Sequence, residues 1–122
     1  MLNGSLAKGD EKQEKRYRKA VKIGMVRVEG TLTDKFKLLK ELGFDGVELD
    51  SPGGASPDEV AKAKDESGLT VHGVVDSVHW QQTLSDANPE VRAKGVEALK
   101  TAIKASKDYG GTSVLLVPGV VK

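Results

Sequence analysis

Cysteine is absent from this chain of 122 residues. That removes disulfides and thiolate metal sites, and it leaves the redox compartment open. Long apolar runs are also missing. No stretch approaches the roughly 20 apolar residues that a membrane helix requires, so no membrane role is expected. Residues 1–10, MLNGSLAKGD, have no apolar core behind the first methionine and do not read as a secretory signal. The cytoplasm is the expected location. An excess of one charge is lacking too: the formal net charge is +1, which gives no bulk electrostatic support to a nucleic-acid partner. What is present, 38% apolar and 30% charged residues, is the composition of one soluble globular domain. Both histidines and the one tryptophan fall within residues 69–80, LTVHGVVDSVHW. This stretch begins as a strand and ends as a polar loop, so it is the first place to look for chemistry.

Residues 1–20 stand apart as a charged N-terminal tail. Charges crowd from Lys8 to Lys22 with little apolar material between them. A solvated segment is the expected form, and a basic arm is the alternative that the interleaved acids weaken. Order begins at Val21. Residues 21–26 are short and β-rich, and predict a strand. Thr31 or Thr33 can cap a following helix, whose apolar face would hold Phe36, Leu39 and Leu42 with Leu38 beside them, and Gly43 would end it. Residues 44–50 predict a second strand. Ser56-Pro57-Asp58-Glu59 then combines a capping serine, a proline at the first helical position and a glutamate three residues on, the pattern of a capping box. Val60 and Ala63 face inward on that helix and Gly68 ends it. Residues 69–75 predict a third strand with Leu69, Val71 and Val75 on one face and Val74 on the other, as in a sheet covered by helices. Asn88-Pro89-Glu90 opens a third helix with Val91, Ala98, Leu99, Ala102, Ile103 and Ala105 as its buried stripe. Residues 113–117 form an apolar run between Gly111 and Pro118, a buried fourth strand.

The order is therefore β-α-β-α-β-α-β, an α/β chain with a parallel sheet. A (β/α)8 barrel needs about 250 residues, and strands at both ends of a four-stranded sheet would be open edges. The expectation is the N-terminal half of a (β/α)8 TIM barrel, residues 21–122, truncated after strand 4, with a complete small α/β domain as the alternative and self-association through the open edges as a further state.

Three segments carry a family resemblance: residues 43–49, GFDGVEL; residues 88–95, NPEVRAKG; and residues 109–119, YGGTSVLLVPG. With the long loop and helix after the third strand, the chain from about residue 21 onward resembles the sugar phosphate isomerase/epimerase family, the xylose isomerase-like TIM barrels. The resemblance implies a small-molecule sugar or hydroxy-carbonyl substrate. It also implies a divalent metal (Mn, Mg or Co) held by carboxylates and a histidine, and two glutamates that move a proton at the carbon next to a carbonyl. Those ligands and glutamates belong to later strands in the family, so no catalytic residue is assigned, and no cofactor is expected in this stretch itself. The chain taken alone is expected to be an inactive part of a metal-dependent isomerase or epimerase. A lyase or dehydratase on the same barrel, or a non-catalytic half-barrel, are the alternatives.

In such barrels the active face lies at the C-terminal ends of the strands. The substrate-binding candidates are Glu48, His72, His79 and Trp80, with Asp50, Asp76 and Pro118-Gly119 near them. Glu48, between Val47 and Leu49, either holds a pocket group or bonds a neighbouring strand, since a carboxylate there needs a partner. His72 can pair with Glu48 across adjacent strands, or be a satisfied structural histidine. His79 and Trp80 can bond and stack on a sugar, or pack the loop against the third helix. His72, Asp76 and His79 are spaced by four and three, which would align them on a helix. On a strand and loop it does not, and no independent metal site is expected. Gly53-Gly54 before a helix is a weak phosphate-cradle signal.

Overall fold

The computed structural model describes residues 17–121; the larger part of the charged tail lies outside them. The elements are β1 (Ala20–Lys22), a 3-10 turn (Ile23–Met25), α1 (Leu32–Glu41), β2 (Gly46–Ser51), α2 (Pro57–Ser67), β3 (Thr70–Asp76), α3 (Pro89–Asp108) and β4 (Ser113–Leu115). All three strand pairings are parallel and the sheet order is β1-β2-β3-β4. In a parallel sheet wound in sequence order, right-handed crossovers put every helix on one face. A doubly wound sheet would reverse direction and cover both faces. The core obeys the first pattern: Phe36 and Leu39 of α1, Val60 and Ala63 of α2, and Ala102 of α3 pack with Val47, Leu49, Leu69, Val71 and Val74 in one buried cluster. This one-sided, sequentially wound sheet is a partial TIM barrel.

Local chemistry sets the helix starts. Thr31 caps α1 in a full capping box: its hydroxyl oxygen accepts from the Asp34 N–H at 3.2 Å, and its own N–H donates to Asp34 Oδ2 at 2.9 Å. Ser56 caps α2 by accepting from the Glu59 N–H at 3.2 Å. The reciprocal half of the expected box is missing there, so the box sits on α1 rather than α2. Asn88 caps α3 with Pro89 behind it. Gly43 and Gly68 end α1 and α2 at φ values of +81° and +69°, where a side chain would be strained.

Several expectations are corrected. The first strand stops at Lys22, and the chain turns instead of extending to Val26, with the Val26 N–H bonded to the Ile23 carbonyl. Leu42 lies past the end of α1 at its C-cap and is exposed. On α3 the buried residues are Gly95, Ala98, Ala102 and Ser106, a stripe of small side chains that brings the helix close to the sheet, and Ile103 points away. β4 ends at Leu115 and is half open, because it is paired only with β3.

β3 departs from simple alternation. Val47 pairs with Val71, but the next residue, Glu48, pairs with Gly73. His72 is the extra residue of a β-bulge. The bulge brings Val74 into the core beside Val71, and sets Val75 opposite Asp50.

Candidate functional site

Alternation along β2 buries Val47, Leu49 and Ser51 against the helices and leaves Glu48 and Asp50 half-buried on the other face. Asp50 is paired: Lys22 Nζ on β1 stands 3.1 Å from its Oδ1. Both ends of this pair are partly exposed, so its worth is small, about 1 kcal/mol or less. Glu48 lies level with Lys22 in the strand register. Among the described residues its carboxylate has no hydrogen-bond or ion-pair partner, and Gly73, not His72, stands opposite it.

The bulge separates His72 from the other candidates. Its ring lines an open cavity of about 540 Å³ with Arg18, Lys19, Ala20, Gly46 and Thr70. Ala20, Gly46 and Thr70 are the first residues of their strands. His72 thus belongs to the N-terminal side of the sheet, while Asp76, His79 and Trp80 stand at the C-terminal side.

The C-terminal rim is tied together across three strand exits. At the end of β3, Asp76 is buried, and its Oδ1 accepts from the Val78 N–H at 3.3 Å, closing a tight turn. Ser77 reaches back to the exit of β2: its N–H donates to the Ser51 carbonyl at 2.9 Å and its hydroxyl to the Pro52 carbonyl at 2.6 Å. The Ser51–Pro52 peptide is cis. His79 reaches forward to the exit of β4, where its Nδ1 accepts from the Val117 N–H at 3.2 Å. The residue is 3% exposed. Trp80 stands edge-on to it, with ring centres 4.9 Å apart and planes at 84°, yet remains 58% exposed. The loop continues over the same rim, so that a Cβ on Gly119 would lie 2.3 Å from Ser85 Oγ.

His79, Trp80 and Pro118-Gly119 therefore share one rim, while His72 does not join them. Ser77 was not singled out from the sequence. An aspartate-serine pair at the end of a strand is the available signal, since both residue types close turns through their side chains. Gly53-Gly54 has a different explanation from an anion cradle. A Cβ at Gly54 would lie 2.0 Å from the Asp50 carbonyl oxygen, so the glycine is required for close passage of the chain past an acceptor, which does not suit a phosphate. Among the described residues, no group of three His, Asp or Glu side chains converges to hold a metal. Among the described residues no helix is long and apolar enough to cross a membrane.

Residues 36–122 match the xylose isomerase-like TIM barrel family. The match spans well over half of the chain, and the chain belongs to that family. Among solved structures it is similar to YcjR from E. coli, a 3-keto-D-glucoside 4-epimerase in its apo form, with a TM-score of 0.69 and 24% identity. That likeness is one of fold. It covers 82% of this chain but only 38% of the other, so the chain spans well under half the length of the structure it matches. A comparison with curated proteins gives no match.

Proposed function

We propose that this chain forms part of the substrate-binding rim of a sugar isomerase or epimerase. The single observation that carries the reading is Trp80: a large indole left mostly exposed, beside a buried imidazole, at the strand-exit face of a xylose isomerase-like sheet. A flat aromatic surface of this kind stacks on the apolar face of a sugar ring, and the carboxylate of Glu48 is an acceptor for hydroxyls. The name of the structural neighbour, a 3-keto-glucoside epimerase, supports a carbonyl-bearing sugar as the substrate class. In this reading the residues of this chain bind and orient. The proton transfer next to the carbonyl, and the divalent metal that would steady the resulting oxyanion, belong to the rest of the barrel in the whole protein.

Titration of the 122-residue chain with ketoses and 3-keto-glycosides, followed by Trp80 fluorescence, tests the binding half. Saturable quenching that Trp80→Phe reduces supports it, and no response to any of these sugars overturns it. Solvent-deuterium incorporation into the sugar, with Mn²⁺ present, tests the division of labour. Exchange catalysed by this chain alone would overturn it.

Pairing of two copies through β1 and β4 is a second reading. It is favoured by the position of both strands at the ends of the sheet and by the half-exposed Leu115 on β4. Sedimentation decides it: a dimer is expected, and a monomer at all concentrations would end it.

A further inference from the structure

A neutral imidazole has one nitrogen that donates and one that accepts. In His79 the bond from the Val117 N–H assigns these roles. Nδ1 must keep its lone pair, and the proton sits on Nε2. Burial of the side chain restricts how far the ring can turn, and the backbone N–H of His79, donating to the Asp76 carbonyl at 3.3 Å, holds the turn that carries it. Adding a proton to Nδ1 would set two N–H groups against each other across 3.2 Å.

The charged side chains on the neighbouring elements are engaged elsewhere or exposed. On β3, the Asp76 carboxylate is engaged by the Val78 N–H. On β2, Asp50 is paired with Lys22. In the loop stands Asp86, whose carboxylate accepts from the Asn88 N–H at 2.8 Å. On α3, Glu90 is exposed, and Arg92 donates to the carbonyls of Asp86 and Ala87. Residues 110–121, which include the β4 exit, carry no charged side chain.

We propose that His79 is a protonation-sensitive latch: neutral, it fastens the β3–α3 loop to the exit of β4 and holds Trp80 at the rim, and protonated, it releases both. His79 acts through Trp80 and the loop, so it is a positioning residue. The inference goes beyond the sugar-binding reading and does not depend on it.

The chain carries one tryptophan, so indole emission reports on the surroundings of Trp80. The experiment follows Trp80 emission and the Val117 amide by nuclear magnetic resonance from about pH 8 to about pH 5, the range in which histidine changes charge. In the unmodified chain, Val117 should lose protection from exchange by about five- to tenfold beyond the intrinsic pH effect, the scale of one lost hydrogen bond. The Trp80 signal should move with the same midpoint. His79→Asn keeps an acceptor near the Nδ1 position but does not titrate, and should abolish both transitions with Val117 protected throughout. His79→Phe should leave Val117 unprotected at every pH. His72→Gln, on the other side of the sheet, should change neither. A constant Val117 signal in the unmodified chain, the same transition in His79→Asn, or its loss in His72→Gln would overturn the proposal. If His79→Phe fails to fold, the other two variants still decide.

Discussion

The Tyr109 hydroxyl donates to the carbonyl of Ala55 at 2.5 Å, joining the end of α3 to the loop after β2 across 54 residues of sequence. The same tyrosine's backbone carbonyl accepts from Lys64 Nζ of α2 at 2.6 Å. One residue thus holds two layers of the helical face in place.

Tyr109→Phe should destabilise the chain by about 1–2 kcal/mol, because the Ala55 carbonyl is left without its partner. Urea denaturation measures it. Burial, followed by the nearby charges of Asp108 and Glu59, raises the Tyr109 pKa above the ordinary 10.0. A raised value in the folded state means that the folded chain holds this proton more tightly. Its contribution is therefore complete below pH 10.0 and is lost as pH rises from there through the higher folded value. Tyr109→Phe should remove that alkaline slope.

Gly95→Ala tests packing against propensity. Within an exposed helix the change would stabilise by about 1 kcal/mol. Here the added Cβ would lie 2.4 Å from the Gln82 carbonyl oxygen, a backbone atom that cannot swing aside. Overpacking of this kind costs about 1–3 kcal/mol. The net expectation is a loss of stability, read as a lower denaturation midpoint. A gain would mean that the loop over α3 yields freely.

The cap of α1 should be visible in acid. The Thr31 backbone N–H and hydroxyl both donate to Asp34, and with Lys37 nearby they lower its pKa below 3.8. A depressed value favours the folded chain above pH 3.8, and that contribution disappears as pH falls through the lower folded value. Asp34→Asn should flatten this part of the acid limb. Ser56→Ala, which removes the cap of α2, should cost about 1 kcal/mol at all pH values in the same denaturation experiment.

Trp80→Ala separates binding from folding. The indole is mostly exposed, so the substitution should change stability by no more than about 0.5 kcal/mol. If Trp80 stacks on a sugar as proposed, sugar affinity measured by calorimetry should fall. A large loss of stability would instead make Trp80 a packing residue of the loop.

Helix starts were legible because capping is local: Thr31, Ser56 and Asn88 act on residues two or three positions away. The parallel order was legible because strands and helices alternate at the spacing of crossover units. Tertiary partners were not legible. The hydrogen-bond partner of His79 is Val117, 38 residues further along. A hydrophobic period cannot tell which apolar residues lie past a helix end, as Leu42 does, or face outward from the helix, as Ile103 does. The exposure of Leu115 follows from β4 having a neighbour on one side only, which its own composition does not encode. His72 and Glu48 look like natural partners when alternation is assumed to continue unbroken, and the bulge sets Gly73 opposite Glu48 instead.

The inserted position in β3 also bears on which changes in chain length the sheet can absorb. Val71 and Val74 both point into the core on either side of it. Shortening the strand by that one residue would leave both flanks facing as they do now, with plain alternation restored. Removing a residue at any position from Val74 to Asp76 would instead turn over whatever follows, including the segment that carries His79 toward Val117. Length variation within this strand is therefore expected to concentrate at position 72.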